Sequence, residues 1–210
     1  MTRILIADDH AIVRVGLQQT LAKLYISTRV EEVASFDSVL AKIDEHPFDL
    51  LILDINLPGG NSLQMLDVLK LRQPNIKVLI FSGYAAQLYA LDYLKAGADG
   101  YIEKHVEEQE VKHAIETVLN GEKYFDAKTR QLLLKHADDP KKTSNNPFDQ
   151  LSSREIEVMN LLSKGYPLIK IAEMLHIQVT TVSTYKSRIF EKLNISNIVE
   201  LVEKMRLYLP

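Results

Sequence analysis

Acidic side chains follow two apolar runs in the front half of the sequence. Asp8 and Asp9 come directly after the run Arg3–Ala7, and Asp54 comes directly after Leu50–Leu53. Short apolar runs of this kind are typical of strands that are buried on both faces of a parallel sheet. Open sheets place their ligands at the carboxyl ends of the strands, so we expect the three acids to lie together. Three carboxylates repel one another unless a cation joins them, and oxygen ligands suit Mg²⁺.

Two further polar residues follow later apolar runs. Ser82 comes after Val78–Phe81, and Lys104 comes shortly after Gly100–Ile102. At the same sheet edge, a metal would neutralise an incoming phosphoryl group while Asp54 attacks it as a nucleophile. Lys104 would supply a charge, and Ser82 a hydroxyl donor, to the phosphate oxygens. Each residue taken singly has a plainer interpretation, as a helix cap, a turn or a surface lysine, so the prediction depends on their convergence.

Strand and helix patterns alternate five times before residue 122. A second strand is predicted at Val30–Ala34, and the last two helices are predicted from about Gln87 to Ala96 and from about Val106 to Asn120. Gly97 is placed to end the first of these two helices in a left-handed conformation. The alternation predicts an α/β fold, namely a flavodoxin-like, doubly wound, five-stranded parallel sheet with right-handed crossovers.

The composition excludes several classes of protein. The chain has 210 residues, 46% hydrophobic and 25% charged, which suits one large domain or two smaller ones. The absence of cysteine excludes disulfides and thiolate metal sites and fits a reducing cytoplasm. No apolar run approaches the roughly 18 residues of a membrane-spanning helix, and the first run is too short for a signal peptide. We therefore expect a cytoplasmic protein without a membrane partner.

Charge is distributed unevenly along the chain. The net charge is −3 overall, with −6 in residues 1–125, +1 in residues 126–149 and +2 in residues 150–210. The basic rear is consistent with a nucleic-acid partner, but phosphate binding depends on clustered charge and not on net charge. Polar residues and prolines dominate from Asp138 to Pro147, which predicts a linker at 123–149 with a short helix capped by Asp126.

The rear segment carries helical patterns only. Ser152 and Glu155 form a capping-box pattern that opens a first helix. Helices are then predicted at Leu168–Leu175 and Val179–Leu193, and a last helix is predicted to be capped by Ser196. Two helices about a tight turn, the second rich in hydroxyls and bases, are typical of a helix-turn-helix whose second helix enters a major groove. Spacing alone leaves a plain helical bundle equally open.

Residues 1–122 resemble the receiver domain of bacterial two-component response regulators. The resemblance is carried by the acid pair Asp8-Asp9, the Asp-x-x-x-Pro pattern of Asp54 to Pro58, Ser82-Gly83 and Lys104. One departure is His105, which stands where many receivers have proline. The resemblance implies a phosphoacceptor, a Mg²⁺ site and a switch pair. The phosphoacceptor is Asp54, assisted by Lys104. The Mg²⁺ ligands are Asp8, Asp9 and Asp54 with the backbone oxygen of Asn56, and the switch pair is Ser82 with Tyr101.

Residues 150–208 resemble the LuxR-type helix-turn-helix. The matching pattern is Leu151-Ser-Ser-Arg-Glu155, Ile171-Ala172, Thr181-Val-Ser-Thr-Tyr185 and Lys192-Leu193. By position, the resemblance implies a set of DNA contacts on one helix and a dimer contact on the last helix. The DNA contacts are Thr180, Thr181, Ser183, Thr184, Tyr185, Lys186, Arg188 and Lys192, and the dimer contacts are Val199 and Val202.

Two departures from the LuxR-type pattern affect how the helices begin. Gln178 replaces the usual hydroxyl cap before the second helix of the motif, which should weaken that helix start. Leu168 and Ile169 replace polar residues and are either exposed, as a contact for the receiver or a partner, or part of the core.

Together the two resemblances identify a response regulator of the NarL/FixJ subfamily. The expected domains are a receiver at 1–122, a linker at 123–149 and a small four-helix DNA-binding domain at 150–210. The resemblance implies that a sensor histidine kinase phosphorylates Asp54, and that altered interdomain contacts or homodimerisation then change binding to double-stranded DNA. Two alternatives stay open: a binding module that is never phosphorylated, and a Mg²⁺-dependent phosphatase, which would need a second acid where Asn56 stands.

Overall fold

The computed structural model describes residues 1–24, 27–60, 63–127, 129–131 and 146–208. The chain divides into two compact units, Met1–Pro140 and Lys141–Pro210. Most of the short helix predicted inside the linker lies outside the described residues. Its predicted cap is described: Asp126 Oδ1 accepts a hydrogen bond from the backbone N–H of Thr129 at 2.6 Å. The domain boundaries expected at residues 122 and 150 stay a prediction.

The first unit is built on a parallel sheet. Its strands are β1 Thr2–Ala7, β2 Thr28–Val33, β3 Leu50–Leu53, β4 Lys77–Ser82 and β5 Gly100–Glu103. They are arranged in the order β2-β1-β3-β4-β5, with every neighbouring pair parallel. This is the flavodoxin-like strand order, so the predicted fold class is confirmed. Strand β3 is buried along its whole length, as its uninterrupted apolar run predicts.

Helices follow each strand of this sheet. They are α1 Ala11–Ala22, α2 Phe36–Glu45, α3 Gln64–Arg72, α4 Ala86–Lys95 and α5 Glu108–Leu119. Leu17 and Leu21 of α1 and Ile115 of α5 are buried in one apolar cluster with strand residues. Burial of such side chains contributes about 1.5–3 kcal/mol each, which holds these two helices against one face of the sheet. Gly97 follows α4 at φ 104°, the left-handed position predicted for it.

Residues beyond α5 contact the sheet before the chain leaves the first unit. The backbone N–H of Tyr124 donates to the carbonyl of Asp99 at 3.0 Å, and Tyr124 forms a parallel bridge with Gly100. The Tyr124 hydroxyl donates to Glu110 Oε1 at 2.8 Å. A Cβ atom on Gly100 would lie 3.1 Å from Cβ of Tyr124 and 2.9 Å from Cδ1 of Leu79, so the strand needs glycine there. The predicted linker therefore begins with residues anchored to β5.

The second unit is helical within its described residues. A 3-10 helix at Pro147–Gln150 precedes α6 Ser153–Ser163, α7 Leu168–Leu175, α8 Val179–Leu193 and α9 Ile198–Tyr208. The structure has α7 and α8 at the bounds that the sequence predicts. One buried cluster joins all four helices, and it includes Val158, Leu162, Ile171, Val182, Ile189 and Leu201. No helix in the described parts of the chain is long and apolar enough to cross a membrane.

The capping box at the start of α6 also holds the end of α8. The backbone N–H of Ser152 donates to Glu155 Oε2 at 2.7 Å, and the Ser152 hydroxyl oxygen accepts from the N–H of Glu155 at 3.3 Å. Lys192 Nζ on α8 donates to the same Glu155 oxygen at 2.7 Å and to the carbonyl of Gln150 at 3.1 Å. Burial raises the pKa of Glu155, but Lys192 and Ser152 outweigh it and hold that pKa below its ordinary value.

Three helix starts in the second unit test predictions from the sequence. Gln178 gives α8 no side-chain cap, as expected. The cap predicted at Ser196 is wrong, because α9 starts later and Asn197 Oδ1 accepts from the N–H of Glu200 at 3.0 Å. At the start of α7, Leu168 packs against the core whereas Ile169 is 65% exposed, so the core interpretation fails for Ile169 alone.

We expect Glu155→Gln to destabilise the second unit by about 1–2 kcal/mol, because the substitution removes the charge that pairs with Lys192. The folded-state pKa of this carboxyl is lowered, so its contribution is present above the ordinary value of 4.5 and is lost as pH falls through the folded value. Amide hydrogen exchange across α6 in the full chain should therefore be about 5–30 times faster in the variant near neutral pH. The difference should shrink toward acid pH.

Glu157→Gln is the matched control, because Glu157 lies on the same helix with a half-exposed side chain paired to Arg154. It should change exchange little. Equal effects of the two substitutions, or a Glu155 effect that is independent of pH, would contradict the assigned ion pair.

Candidate functional site

The two buried acids of the first unit lie side by side at the carboxyl edge of its sheet. Strands β1 and β3 are adjacent and pair Ala7 with Leu53, so Asp8 and Asp54 follow in register. The N–H of Asp54 donates to the carbonyl of Ala7 at 2.8 Å, which extends the pairing by one residue. Asp8 is 1% exposed and Asp54 is 3% exposed, whereas Asp9 is exposed. Two ionisable carboxyl groups are thus withdrawn from water next to each other.

Lys104 reaches both buried carboxylates from the end of β5. Its backbone N–H donates to the carbonyl of Ser82 at 2.7 Å, which fixes the start of its loop beside β4. Its Nζ lies 2.6 Å from Asp8 Oδ2 and 2.9 Å from Asp54 Oδ2. One ammonium group faces two carboxylates, so the buried cluster carries an excess negative charge. No peptide bond in the described residues is cis, and the Lys104–His105 bond is therefore trans.

The pKa values in this cluster reflect its charge imbalance. Burial raises the pKa of Asp54, and the nearby charge of Asp8 raises it further, while Lys104 and the N–H of Asn56 act in the opposite direction. Burial by itself would lower the pKa of Lys104, but the two carboxylates outweigh it and raise that pKa above its ordinary value. The cluster therefore favours additional positive charge, whether a proton or a cation.

A donor set for a metal ion is assembled at this place. Among the described residues, Asp8, Asp9, His10 and Asp54 each offer one ligand atom, and these atoms all lie within 4.8 Å of one another. Carboxylate oxygens on a site with excess negative charge fit a divalent cation such as Mg²⁺. The sequence predicts the three acids at this place but not His10. The available signal was its position directly after the acid pair.

Ser82, Tyr101 and Asn56 are connected through a residue that sequence reasoning missed, Tyr84. The N–H of Tyr84 donates to Ser82 Oγ at 3.1 Å, and the carbonyl of Tyr84 accepts from the Tyr101 hydroxyl at 3.1 Å. The Tyr84 hydroxyl accepts from Asn56 Nδ2 at 2.9 Å. Ser82 is fully buried, and Tyr101 is 2% exposed. Burial raises the pKa of Tyr101, and the Ser82 hydroxyl partly offsets the increase.

The predicted DNA contacts on α8 differ in their exposure. An exposed stripe follows the helical spacing of three and four residues along one face of α8. The other predicted contacts on α8, apart from Lys192, are partly buried, and Lys186 Nζ lies 5.2 Å from the centroid of the Phe190 ring. The exposed members of the stripe are Thr180, Ser183, Thr184 and Arg188, and the partly buried positions are Thr181, Tyr185 and Lys186.

Three predicted contacts lie outside this stripe. Lys192 is held by Glu155 and Gln150 within the same unit. On α9, Val199 is 70% exposed and Val202 is partly buried. The contacts expected of these three positions, with DNA for Lys192 and with a second chain for the two valines, stay predictions.

Comparison with known families matches both units. Residues 4–116 match the model of the response regulator receiver domain. Residues 149–205 match the model of bacterial regulatory proteins of the luxR family. The two matches correspond to the sheet unit with its acidic edge and to the helical unit.

Relatives match over nearly the whole chain. The oxygen regulatory protein NreC of Staphylococcus haemolyticus is 37% identical over 209 residues, covering 96% of this chain and 95% of that protein. NreC of Staphylococcus carnosus is 35% identical over 207 residues with the same coverage. The structure of RcsB from Salmonella enterica serovar Typhimurium, bound to promoter P1flhDC with phosphomimetic BeF3⁻, has a TM-score of 0.80, with 21% identity and 98% coverage of each chain. The chain thus belongs to the NarL/FixJ family of two-component response regulators, which are phosphorylation-dependent, DNA-binding transcription regulators and not enzymes.

Proposed function

We propose that Asp54 accepts a phosphoryl group from a sensor histidine kinase with the help of Mg²⁺, and that this changes how the second unit binds double-stranded DNA. The observation that carries the proposal is the buried cluster of Asp8, Asp54 and Lys104. This cluster has an excess negative charge and contains the proposed nucleophile, Asp54. Residues 1–122 would act as the receiver, 123–149 as the linker and 150–210 as the DNA-binding domain.

The two oxygens of Asp54 are in different surroundings. Oδ2 is paired with Lys104 at 2.9 Å, whereas Oδ1 accepts a long hydrogen bond of 3.4 Å from the N–H of Asn56. Oδ1, the more weakly held oxygen, is therefore the one that attacks phosphorus. The new O–P bond forms as the P–N bond of a phosphohistidine breaks, and its electron pair leaves on the imidazole nitrogen, which takes up a proton. Lys104 is close enough to Asp54 to form an ion pair with the phosphoryl oxygens after the transfer.

The residues that would hold Mg²⁺ are Asp8, Asp9 and Asp54 with the backbone oxygen of Asn56. When bound, the ion neutralises charge on the phosphoryl oxygens. Support for this set comes from the donor atoms gathered within 4.8 Å and from the raised pKa of Asp54, which reflects the penalty that burial places on its charged form. Asp8, Asp54 and Lys104 follow three strands of one sheet and meet at its carboxyl edge. The ion, the nucleophile and the lysine would therefore lie close together.

A phosphoryl group on Asp54 would act on Ser82 and Tyr101 through Tyr84. A new anionic oxygen attracts the Ser82 hydroxyl, whose oxygen now accepts the N–H of Tyr84. The carbonyl of Tyr84 accepts a hydrogen bond from the Tyr101 hydroxyl, and the Tyr84 hydroxyl accepts one from the side-chain amide of Asn56. Movement of Ser82 therefore changes the hydrogen bonds that hold the Tyr101 ring inside. The result is a shift between two populations of the receiver surface.

The second unit would read DNA with the exposed stripe of α8. Hydroxyl groups of Thr180, Ser183 and Thr184 let the helix approach the groove closely, and Arg188 can reach a phosphate or a guanine edge. Lys186 extends the positive surface beside them. Val199 and Val202 on α9 would join two copies, so that a phosphorylated homodimer binds two half-sites.

Two alternatives are tested by the same experiments. A phosphatase using Asp54 would need an acid near it to protonate the leaving group, and the place two residues on holds Asn56, whose amide is engaged with Tyr84. A module that binds DNA without phosphorylation would have no use for the buried charge cluster, which costs stability. Turnover of a phosphodonor beyond one equivalent supports the first alternative, and DNA affinity unchanged by phosphorylation supports the second.

We expect Asp54→Ala to abolish labelling by acetyl phosphate, because the substitution removes the nucleophile. In the unsubstituted chain, beryllofluoride with Mg²⁺ should tighten binding to duplexes selected by the protein from a random pool, and Asp54→Ala should remove this gain. The measurements are the mass of the intact protein after labelling and the Kd by fluorescence anisotropy. Asp67→Ala, an exposed acid on α3, should leave both responses intact. Persistent labelling of the Asp54 variant would overturn the assignment.

Asp54→Asn should stabilise the protein in EDTA. Because the pKa of Asp54 is raised on folding, its ionised form lowers stability as pH rises above the ordinary value of 3.8. Removal of about 1 kcal/mol of this penalty corresponds to an increase of about 2–4 °C in the unfolding midpoint near neutral pH. Mg²⁺ should stabilise the unsubstituted chain but not this variant. Thermal unfolding followed by circular dichroism measures both effects, with Asp67→Asn as control. A lower midpoint in EDTA would contradict the charge imbalance.

Arg188→Ala should reduce the salt dependence of DNA binding. Removing one interaction between the protein and a phosphate should lower the slope of log K against log salt by about 0.9. Lys192→Ala decides between two roles of Lys192: a DNA contact predicts the same reduction in slope, whereas the ion pair with Glu155 alone predicts an unchanged slope and a less stable second unit. Lys123→Ala, which replaces an exposed lysine in the first unit, is the control for a general reduction of positive charge. An unchanged slope for Arg188→Ala would contradict its contact with a phosphate.

A further inference from the structure

We infer that His10 is a fourth side-chain ligand of the metal site and gives it a preference for divalent transition ions, from Mn²⁺ to Zn²⁺, that its carboxylates alone would not confer. The inference rests on the proposed metal site and extends it to a residue that the phosphoryl transfer does not require. It is carried by the position of one ring nitrogen relative to three acids.

The imidazole of His10 is turned toward the acids. Its Nδ1 lies 2.7 Å from Asp9 Oδ1 and 3.1 Å from Asp8 Oδ1. Because its backbone N–H also donates to Asp8 Oδ1 at 2.8 Å, the start of the side chain is fixed beside the site. His10 precedes α1 directly, so the helix determines the direction in which the chain leaves the acid pair.

The spacing of the donor atoms suits one shared ion. Ligand atoms on a six-coordinate ion with bonds of about 2.0–2.1 Å lie about 3–4 Å apart. The donor atoms of Asp8, Asp9, His10 and Asp54 all lie within 4.8 Å of one another. Asp9 and His10 are exposed, so their side chains can turn toward an ion held by the two buried carboxylates without repacking the core.

A nitrogen donor changes which ion such a site prefers. Carboxylates and water suit Mg²⁺ and Mn²⁺, whereas imidazole suits the later ions of the first transition row, whose affinity rises from Mn²⁺ toward Cu²⁺. Mg²⁺ keeps several water molecules when bound and gains little from an imidazole. His10 therefore adds affinity for Co²⁺ or Zn²⁺ while leaving Mg²⁺ binding to the acids. The ratio of the two affinities isolates the contribution of His10 from that of the site as a whole.

A matched control histidine lies on the same sheet edge. His105 follows Lys104, is exposed, and has its Nε2 2.8 Å from Glu103 Oε2. It is outside the cluster of possible ligands, so replacing it removes an imidazole from the same surface without touching the donor set. Replacing both histidines singly separates ligation from a general change in surface charge.

The experiment titrates the full-length chain with Mg²⁺, Mn²⁺ and Co²⁺ by calorimetry, as the unsubstituted protein and as His10→Ala and His105→Ala. We expect His10→Ala to weaken Co²⁺ binding by about tenfold or more, and Mg²⁺ binding by less than about twofold. His105→Ala should change neither. Pulsed electron paramagnetic resonance of bound Mn²⁺ should show coupling to a ring nitrogen that disappears in His10→Ala alone.

The outcomes distinguish this inference from the proposed function. Equal weakening of Mg²⁺ and Co²⁺, no weakening of either, or absence of nitrogen coupling with Mg²⁺ binding intact would overturn the role of His10 while leaving the phosphoryl site in place. Failure of the unsubstituted protein to bind Mg²⁺ would overturn both. Thermal unfolding in EDTA should be the same for the two histidine variants, which excludes a failure to fold as the cause.

Discussion

The first unit depends on an unequal division of charge, in which two buried carboxylates share the ammonium group of Lys104. A balanced pair of Lys104 with either Asp8 or Asp54 alone would cost less, because each buried ion must recover its lost hydration from its partners. Burial, together with the nearby charge of Asp8, keeps the pKa of Asp54 raised, and the imbalance leaves the site short of positive charge. In the proposed mechanism a divalent cation would correct this deficit and would also balance the added negative charge of a phosphoryl group. The same feature that lowers stability would thus create the affinity for the cation.

The contacts of Tyr84 extend this site into the rest of the sheet. Tyr84 receives hydrogen bonds from Asn56 and Tyr101 and donates one to Ser82, so the loop after Asp54 and the Tyr101 ring are bonded to the same residue. From Tyr101, strand β5 runs back to Gly100, where Tyr124 is bridged to the sheet. The start of the predicted linker and the Tyr101 ring are therefore held by the same short strand. A movement of Ser82 would therefore be separated by only a few contacts from the residues that lead out of the first unit.

The sequence was sufficient where an element is determined by its own residues. Buried strands such as β3 need a short apolar run, and the carboxyl ends of adjacent parallel strands must meet, so the sequence predicts that Asp8, Asp54 and Lys104 lie together. Helices α7 and α8 were bounded correctly because a proline, a turn and regular apolar spacing define them.

Two residues of the site, His10 and Tyr84, were not predicted from the sequence because their contacts depend on side-chain direction in a loop. His10 and Tyr84 lie one or two residues beyond a predicted strand-end residue, in loops where the sequence gives the position of the chain but not the direction of the ring. The residue that caps α9 is Asn197 and not Ser196, because both can cap a helix and only the backbone of the preceding turn selects between them. The ion pair of Lys192 with Glu155 was not predicted from the sequence, and the predicted DNA contact of Lys192 would have to compete with it.

This ion pair bears on how strongly one DNA-binding unit can hold a duplex. While Lys192 stays paired with Glu155, the positive charge that α8 can offer to phosphates comes from Lys186 and Arg188, and binding strength rises steeply with the number of phosphates neutralised. Two units joined through α9 would double that number and make the second contact intramolecular. If phosphorylation of Asp54 controls dimerisation, as we propose, it would therefore change DNA affinity more than an adjustment of a single recognition helix would.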